Sequence, residues 1–152
     1  MQDVEERAED TIAALVRQGV SNARVFAAWE HQGLEYPAVV IHAGSSEPLV
    51  EDAESHEHRT LGVEVACIVE AAPEMNTAGT VLREARAINR QLRSDVLMIL
   101  RVPDLAARLN EMNMPGVMFS MAEVGRTERS TEDLHLITTI ELECIAHPTE
   151  LE

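Results

Sequence analysis

The stretch LGVEVACIVE, residues 61 to 70, decides the fold. Leu61, Val63, Val65, Cys67 and Val69 fall on one side of an extended chain, and Gly62, Glu64, Ala66, Ile68 and Glu70 on the other. A period of two sends alternate side chains to opposite faces, so this is a strand with one buried face. The pattern returns at 134–147, where Leu134, Leu136, Thr138, Ile140, Leu142 and Cys144 alternate with His135, Ile137, Thr139, Glu141, Glu143 and Ile145. Strands buried on one face belong to antiparallel sheets. The second face of 134–147 is mixed, with Ile137 and Ile145 beside Glu141 and Glu143. A face turned only to water is usually more polar, so partial cover by another subunit is expected there.

Outward from these strands, EYPAVVIHAGSS (35–46) holds a third, Ala38 to Ala43, stopped by Gly44. Its direct connection predicts antiparallel pairing with 61–70. ARVFAAWE (23–30) reads as a short strand, and 44–57 as a loop or the flared part of a hairpin. Gly116 to Val124 is a further strand, followed by the turn GRTERSTED (125–133). Three segments have helical spacing instead. Residues 3–18 carry Val4, Ala8, Ile12, Leu15 and Val16, with Asp3 and Glu6 as a capping box. A long helix starting near Asn76 or Thr77 carries Val81, Ala85, Ile88, Leu92, Val96 and Ile99 inward, and Pro103 ends it. A short one, Pro103 to Glu111, turns Leu105 and Leu109 inward. The expected architecture is α+β: one domain, 1–152, with a mainly antiparallel sheet and helices packed on one face.

Composition narrows the function. The 152 residues are 45% hydrophobic but only 3% aromatic, so Val, Leu, Ile, Ala and Met must build the core. The formal net charge is −15, which repels phosphate and disfavours direct binding to nucleic acid or an anionic membrane. All twelve basic residues are arginine. The acidic start MQDVEERAED lacks the cationic and apolar parts of a targeting peptide, so the chain is expected to stay in the compartment where it is made. Cys67 and Cys144 sit at apolar strand positions and read as buried reduced thiols.

Motifs for chemistry are sparse. GxSxG, GxGxxG and the P-loop are all absent. ESHEHRT (54–60) would put His56 and His58 on one side of a strand, as in a metal site. The remaining ligands are not local, so two ordinary histidines in a polar loop is the preferred reading, with no metal and no cofactor. Arg83, Arg86, Arg90 and Arg93 line one side of the long helix. They could grip a phosphate, but neighbours such as Glu84 favour a surface ion-pair face. Met112, Met114, Met118 and Met121 read as core filler.

The layout as a whole resembles the tail terminator (tail completion) proteins of long-tailed, lambda-type bacteriophages. The resemblance lies in order and local character: ARVFAAWE after an N-terminal helix, YPAVVIHAGSS entered through an aromatic-Pro-Ala step, the acidic EDAESHEHRT, the strand LGVEVACIVEA, the helical VPDLAARLN and the closing LITTIELECIAH. It implies a non-enzymatic virion protein, assembled in the host cytoplasm and located at the tail–neck junction. There it would form a homohexameric ring on the tail tube, stop tube polymerisation and offer a surface to head-completion or connector proteins. DNA would pass through the channel without specific binding, and no membrane is involved. Under this reading the interface candidates are Trp29, Glu51, Asp52, Glu54, Arg126, Arg129, Ile137 and Ile145. The alternatives are another neck protein, a generic binding module, or a small metal-dependent enzyme using His56 and His58.

Overall fold

The computed structural model describes residues 4–28, 35–48, 59–70, 78–112, 114–132 and 135–149. The elements run α1 (Val4–Gly19), β1 (Arg24–Ala27), β2 (Ala38–Pro48), β3 (Arg59–Glu70), α2 (Ala78–Leu100), α3 (Leu105–Asn110), β4 (Val117–Glu132) and β5 (His135–Pro148). The five strands form one sheet in the order β1-β2-β3-β5-β4. β1 lies parallel to β2, and every other neighbour is antiparallel. The expected α+β class holds, as does the pairing of 38–43 with 61–70.

Alternation in β3 and β5 is realised residue by residue. Leu61, Val63, Val65, Cys67 and Val69 are buried, as are Leu136, Thr138, Ile140, Leu142 and Cys144. The two strands pair along their whole length, Leu61 opposite Cys144 and Val69 opposite Leu136. All three helices pack on that apolar side, together with Val39 and Ile41 of β2. α1 is the central helix, touching both other helices and four strands. Its buried surface is therefore wider than its apolar stripe and takes in Arg7, Glu9, Thr11 and Ala13 as well. Gly19 ends α1 against α2: a Cβ there would lie 2.5 Å from Ile99 Cδ1, so any larger residue would require the Ile99 side chain to move.

Three differences from the sequence expectation have physical causes. The polar residues 44–48 continue β2, across a register slip between Ala43 and Ser45. Residues 125–132, expected as a turn, continue β4: Thr127 to Glu132 pair in order with Ile140 to His135. Backbone pairing holds this segment rather than burial, since every residue from Gly125 to Glu132 is exposed. On α2, Ile88 is 45% exposed, and Asn89 takes the inward place instead. The cap at Asn76 or Thr77 lies outside the described residues, as does Asp3 of the capping box.

Polar side chains on the helices bond directly to sheet backbone. Asn89 Nδ2 donates to the carbonyls of Cys67 (3.0 Å) and Leu136 (3.2 Å), and its Oδ1 accepts from the Thr138 hydroxyl. The Asn110 amide donates to the Phe119 carbonyl and accepts from the Phe119 N–H, both at 2.8 Å. Arg17 donates to the Val25 carbonyl of β1 through Nε (3.1 Å) and Nη2 (2.8 Å). Glu9 accepts from the Ala43 N–H at 2.8 Å, where β2 slips register. Burial raises the Glu9 pKa above its ordinary 4.5, against the opposing pull of that N–H and of His42.

Two stability predictions follow from these bonds. Asn89→Leu removes the amide and strands the buried Thr138 hydroxyl, so urea unfolding should show a loss of about 2–3 kcal/mol. An unchanged midpoint would mean that the amide does not hold α2 to the sheet. For Glu9 the raised pKa means that the folded state binds the proton more tightly. Its contribution is then full below pH 4.5 and is lost as pH rises through the folded pKa. Glu9→Gln keeps an acceptor without a charge to desolvate. It should flatten the pH dependence above 4.5 and leave stability at pH 7 equal or higher, as read from thermal melts across pH.

Candidate functional site

The sheet has a second face, and no described element covers it. In β-register, Phe26 of β1 lies beside Val40 of β2, which lies beside Ala66 of β3 and then Thr139 of β5. The adjacent row runs Ala38, which is fully buried, then Ile68 and Ile137. Further along β5, beyond Glu141 and Glu143, Ile145 sits between Thr60 and Met121. Phe26, Val40, Ile68, Ile137 and Ile145 are half-buried among their neighbours, and none joins the core. Apolar residues grouped on a sheet face that no described element covers make it a candidate interaction surface. At one end of it Tyr36 and His135 stack with ring centroids 4.8 Å apart, and His135 Nε2 lies 3.1 Å from Glu70 Oε2.

The same face carries an acidic patch. Glu64 stands directly opposite Glu141, and Glu123 directly opposite Glu143. Like charges at such positions repel. Arg126 relieves one of them: its Nε lies 3.1 Å from Glu141, while its Nη2 reaches Glu128, also at 3.1 Å.

On the helix side, a cleft of about 470 Å³ opens between α2 and the far half of the β4–β5 ribbon. Arg86, Arg90 and Arg93 of α2 line it, with Arg129 of β4 and the side chains of Asn89 and Thr138. Among the described residues, none of Arg83, Arg86, Arg90, Arg93 and Arg129 makes an ion pair, so the ion-pair face expected on α2 does not form among them, and Arg93 Nε is buried with no hydrogen-bond partner there.

Of the interface residues expected from sequence, Ile137, Ile145 and Arg126 share the open face, Ile137 and Ile145 towards opposite ends of β5, while Arg129 lies across the sheet in the cleft. Trp29, Glu51, Asp52, Glu54, His56 and His58 lie outside the described residues. Among the described residues no group of three or more His, Cys, Asp or Glu is placed to hold a metal ion. Met112 packs against the core, whereas Met118 is 42% exposed, so the methionines are only partly filler. Phe26, Val40 and Ile68 were not singled out from sequence. Their signal was the same as that of Ile137: an apolar residue on the polar phase of a strand.

No protein family matches the chain, and no curated protein matches it in sequence. No described helix is long and apolar enough to cross a membrane.

Neither cysteine can serve as a nucleophile in this fold. Cys67 and Cys144 are free and fully buried, and burial pushes both thiols up to about 12. The native protein should therefore leave a thiol-reactive chromogen untouched at pH 8, with two equivalents released on unfolding. Rapid labelling of the folded chain would show that one strand opens.

Proposed function

We propose that this chain is a structural subunit that closes into a ring on the end of a phage tail tube, stops growth of the tube and presents a surface for head joining. The observation that carries the reading is the open sheet face, with Phe26, Val40, Ile68, Ile137 and Ile145 uncovered by any described element. A monomer gains nothing from that row, whereas a subunit buries it against a neighbour. The order of elements resembles the tail terminators of lambda-type phages, and the α+β architecture is compatible with them.

A charge of −15 suits a ring through which DNA must slide, because an acidic channel repels the phosphate backbone. The same charge makes copies repel one another as they approach. Salt of about 0.1 M shortens the range of that repulsion to roughly 10 Å. In this reading the protein works in the virion at the tail–neck junction and needs neither catalysis nor a cofactor. Its partners are copies of itself, the tube protein and a head-completion or connector protein.

Negative-stain images of concentrated protein with magnesium should show rings with an open centre, more abundant at moderate than at very low salt. Added to polymerising tube protein, the chain should limit tube growth. Monomers at every salt concentration, together with undiminished tube growth, would overturn the proposal.

A further inference from the structure

We infer that the arginine cleft of one copy receives the acidic sheet-face patch of the next, which makes these two surfaces the two sides of a head-to-tail interface. The inference rests on the ring-forming reading above and names the contact that would build the ring.

Among the described residues, two patches each gather charge of one sign. The cleft gathers Arg86, Arg90, Arg93 and Arg129, four of the twelve cations of a chain with twenty-seven carboxylates. Among the described residues none of these four makes an ion pair, so the concavity concentrates positive charge suited to an anionic group. Arg86, Arg90 and Arg93 follow one another at helical spacing of four and three, so their forks converge on the same space. Arg93 Nε has no partner. Guanidinium forks match carboxylates in a two-bond geometry.

The complementary patch is Glu64, Glu123, Glu141 and Glu143. Two pairs of them stand directly opposite across strands, and only Glu141 has an arginine partner among the described residues. Each patch raises the energy of the isolated copy, and each supplies what the other lacks. The partner is thus a second copy of this chain, identified by charge complementarity.

Position decides the kind of assembly. The cleft lies on the helix side of the sheet, and the acidic patch on the opposite face. A two-fold dimer needs both partners of a contact within one shared surface, which opposite faces cannot provide. A head-to-tail contact uses one face from each copy and leaves the others free for the next neighbour, so it propagates, and it gives a ring where the rotation between copies closes. The open apolar row lies on the same face as the acidic patch and would be covered in the same step.

Salt should act in two stages. Screening over about 10 Å at 0.1 M weakens the long-range repulsion of the copies, whereas the close pairs in the cleft weaken only as the Debye length falls to about 3 Å near 1 M. Association should rise and then fall.

Exchange of charge tests the contact. Arg86→Glu with Arg90→Glu cancels the net charge of the four-arginine cleft; Glu64→Arg with Glu143→Arg cancels that of the four-glutamate patch. All four positions are exposed, and circular dichroism checks that each variant folds. In sedimentation velocity at about 0.1 M salt, each double variant alone should associate at least about tenfold more weakly than wild type. An equimolar mixture of the two should recover pairwise association, because the intact patch of the cleft variant then meets the intact cleft of the patch variant. If both variants still assemble alone as wild type does, the contact is wrong while the ring reading stands. Wild-type protein that stays monomeric at every salt concentration and does not limit tube growth overturns both. A wild-type monomer that binds inorganic phosphate saturably, with binding lost in the cleft variant, makes the cleft a small-anion site and overturns the interface.

Discussion

The structure depends on holding helices to a sheet across a core almost free of aromatic side chains. For α2 the hold is Asn89. A buried amide cannot be left without partners, so α2 must sit where Asn89 reaches the carbonyls of Cys67 and Leu136 and the hydroxyl of Thr138. Those three partners lie on the two central strands, β3 and β5. One side chain therefore fixes how far α2 slides and how it rotates, which a surface of Val, Leu and Ala would specify only loosely. Glu9, Arg17 and Asn110 do the same for β2, β1 and β4. Each helix is thus tied to the sheet through its backbone, and the cleft beside Asn89 inherits its shape from that tie.

The edges of the sheet are handled unequally. β1 is only four residues long, which leaves little backbone to recruit another strand. β4 is sixteen residues long and slips register twice, between Phe119 and Met121 and between Val124 and Thr127. Asn110 occupies the Phe119 backbone near the first slip. Beyond the second, Arg126, Glu128, Arg129 and Glu132 line the strand with charge. Bulges and charged side chains are the usual defence against indiscriminate strand pairing. An assembly contact made by this protein is accordingly expected to use faces rather than edges.

How much was legible in sequence follows the physics of each element. β3 and β5 were readable because burial of one face forces strict alternation, and Val63 to Val69 obey it. The far halves of β2 and β4 were not, since Gly, Ser, Arg and Glu in GSSEP and GRTERSTE are turn formers by local preference. They are strand only because a neighbour offers a ladder. On α2 the apolar pattern pointed to Ile88, and the inward place went to Asn89, whose value depends on carbonyls 22 and 47 residues away. The candidate surfaces divide the same way. Ile137 and Ile145 were legible as misplaced apolar residues on one strand. The cleft was not: Arg129 joins the α2 arginines only through the fold, and no local rule states that acids as near as Glu84 make no ion pair with them among the described residues.

The cleft is built from arginine, and the chain has no lysine at all. Guanidinium holds its five donors in one rigid plane, whereas an ammonium is a point charge on a flexible stem. A hollow lined this way discriminates by direction as well as by sign. A flat, two-oxygen group can satisfy a fork with parallel bonds, and a compact round anion of equal charge cannot.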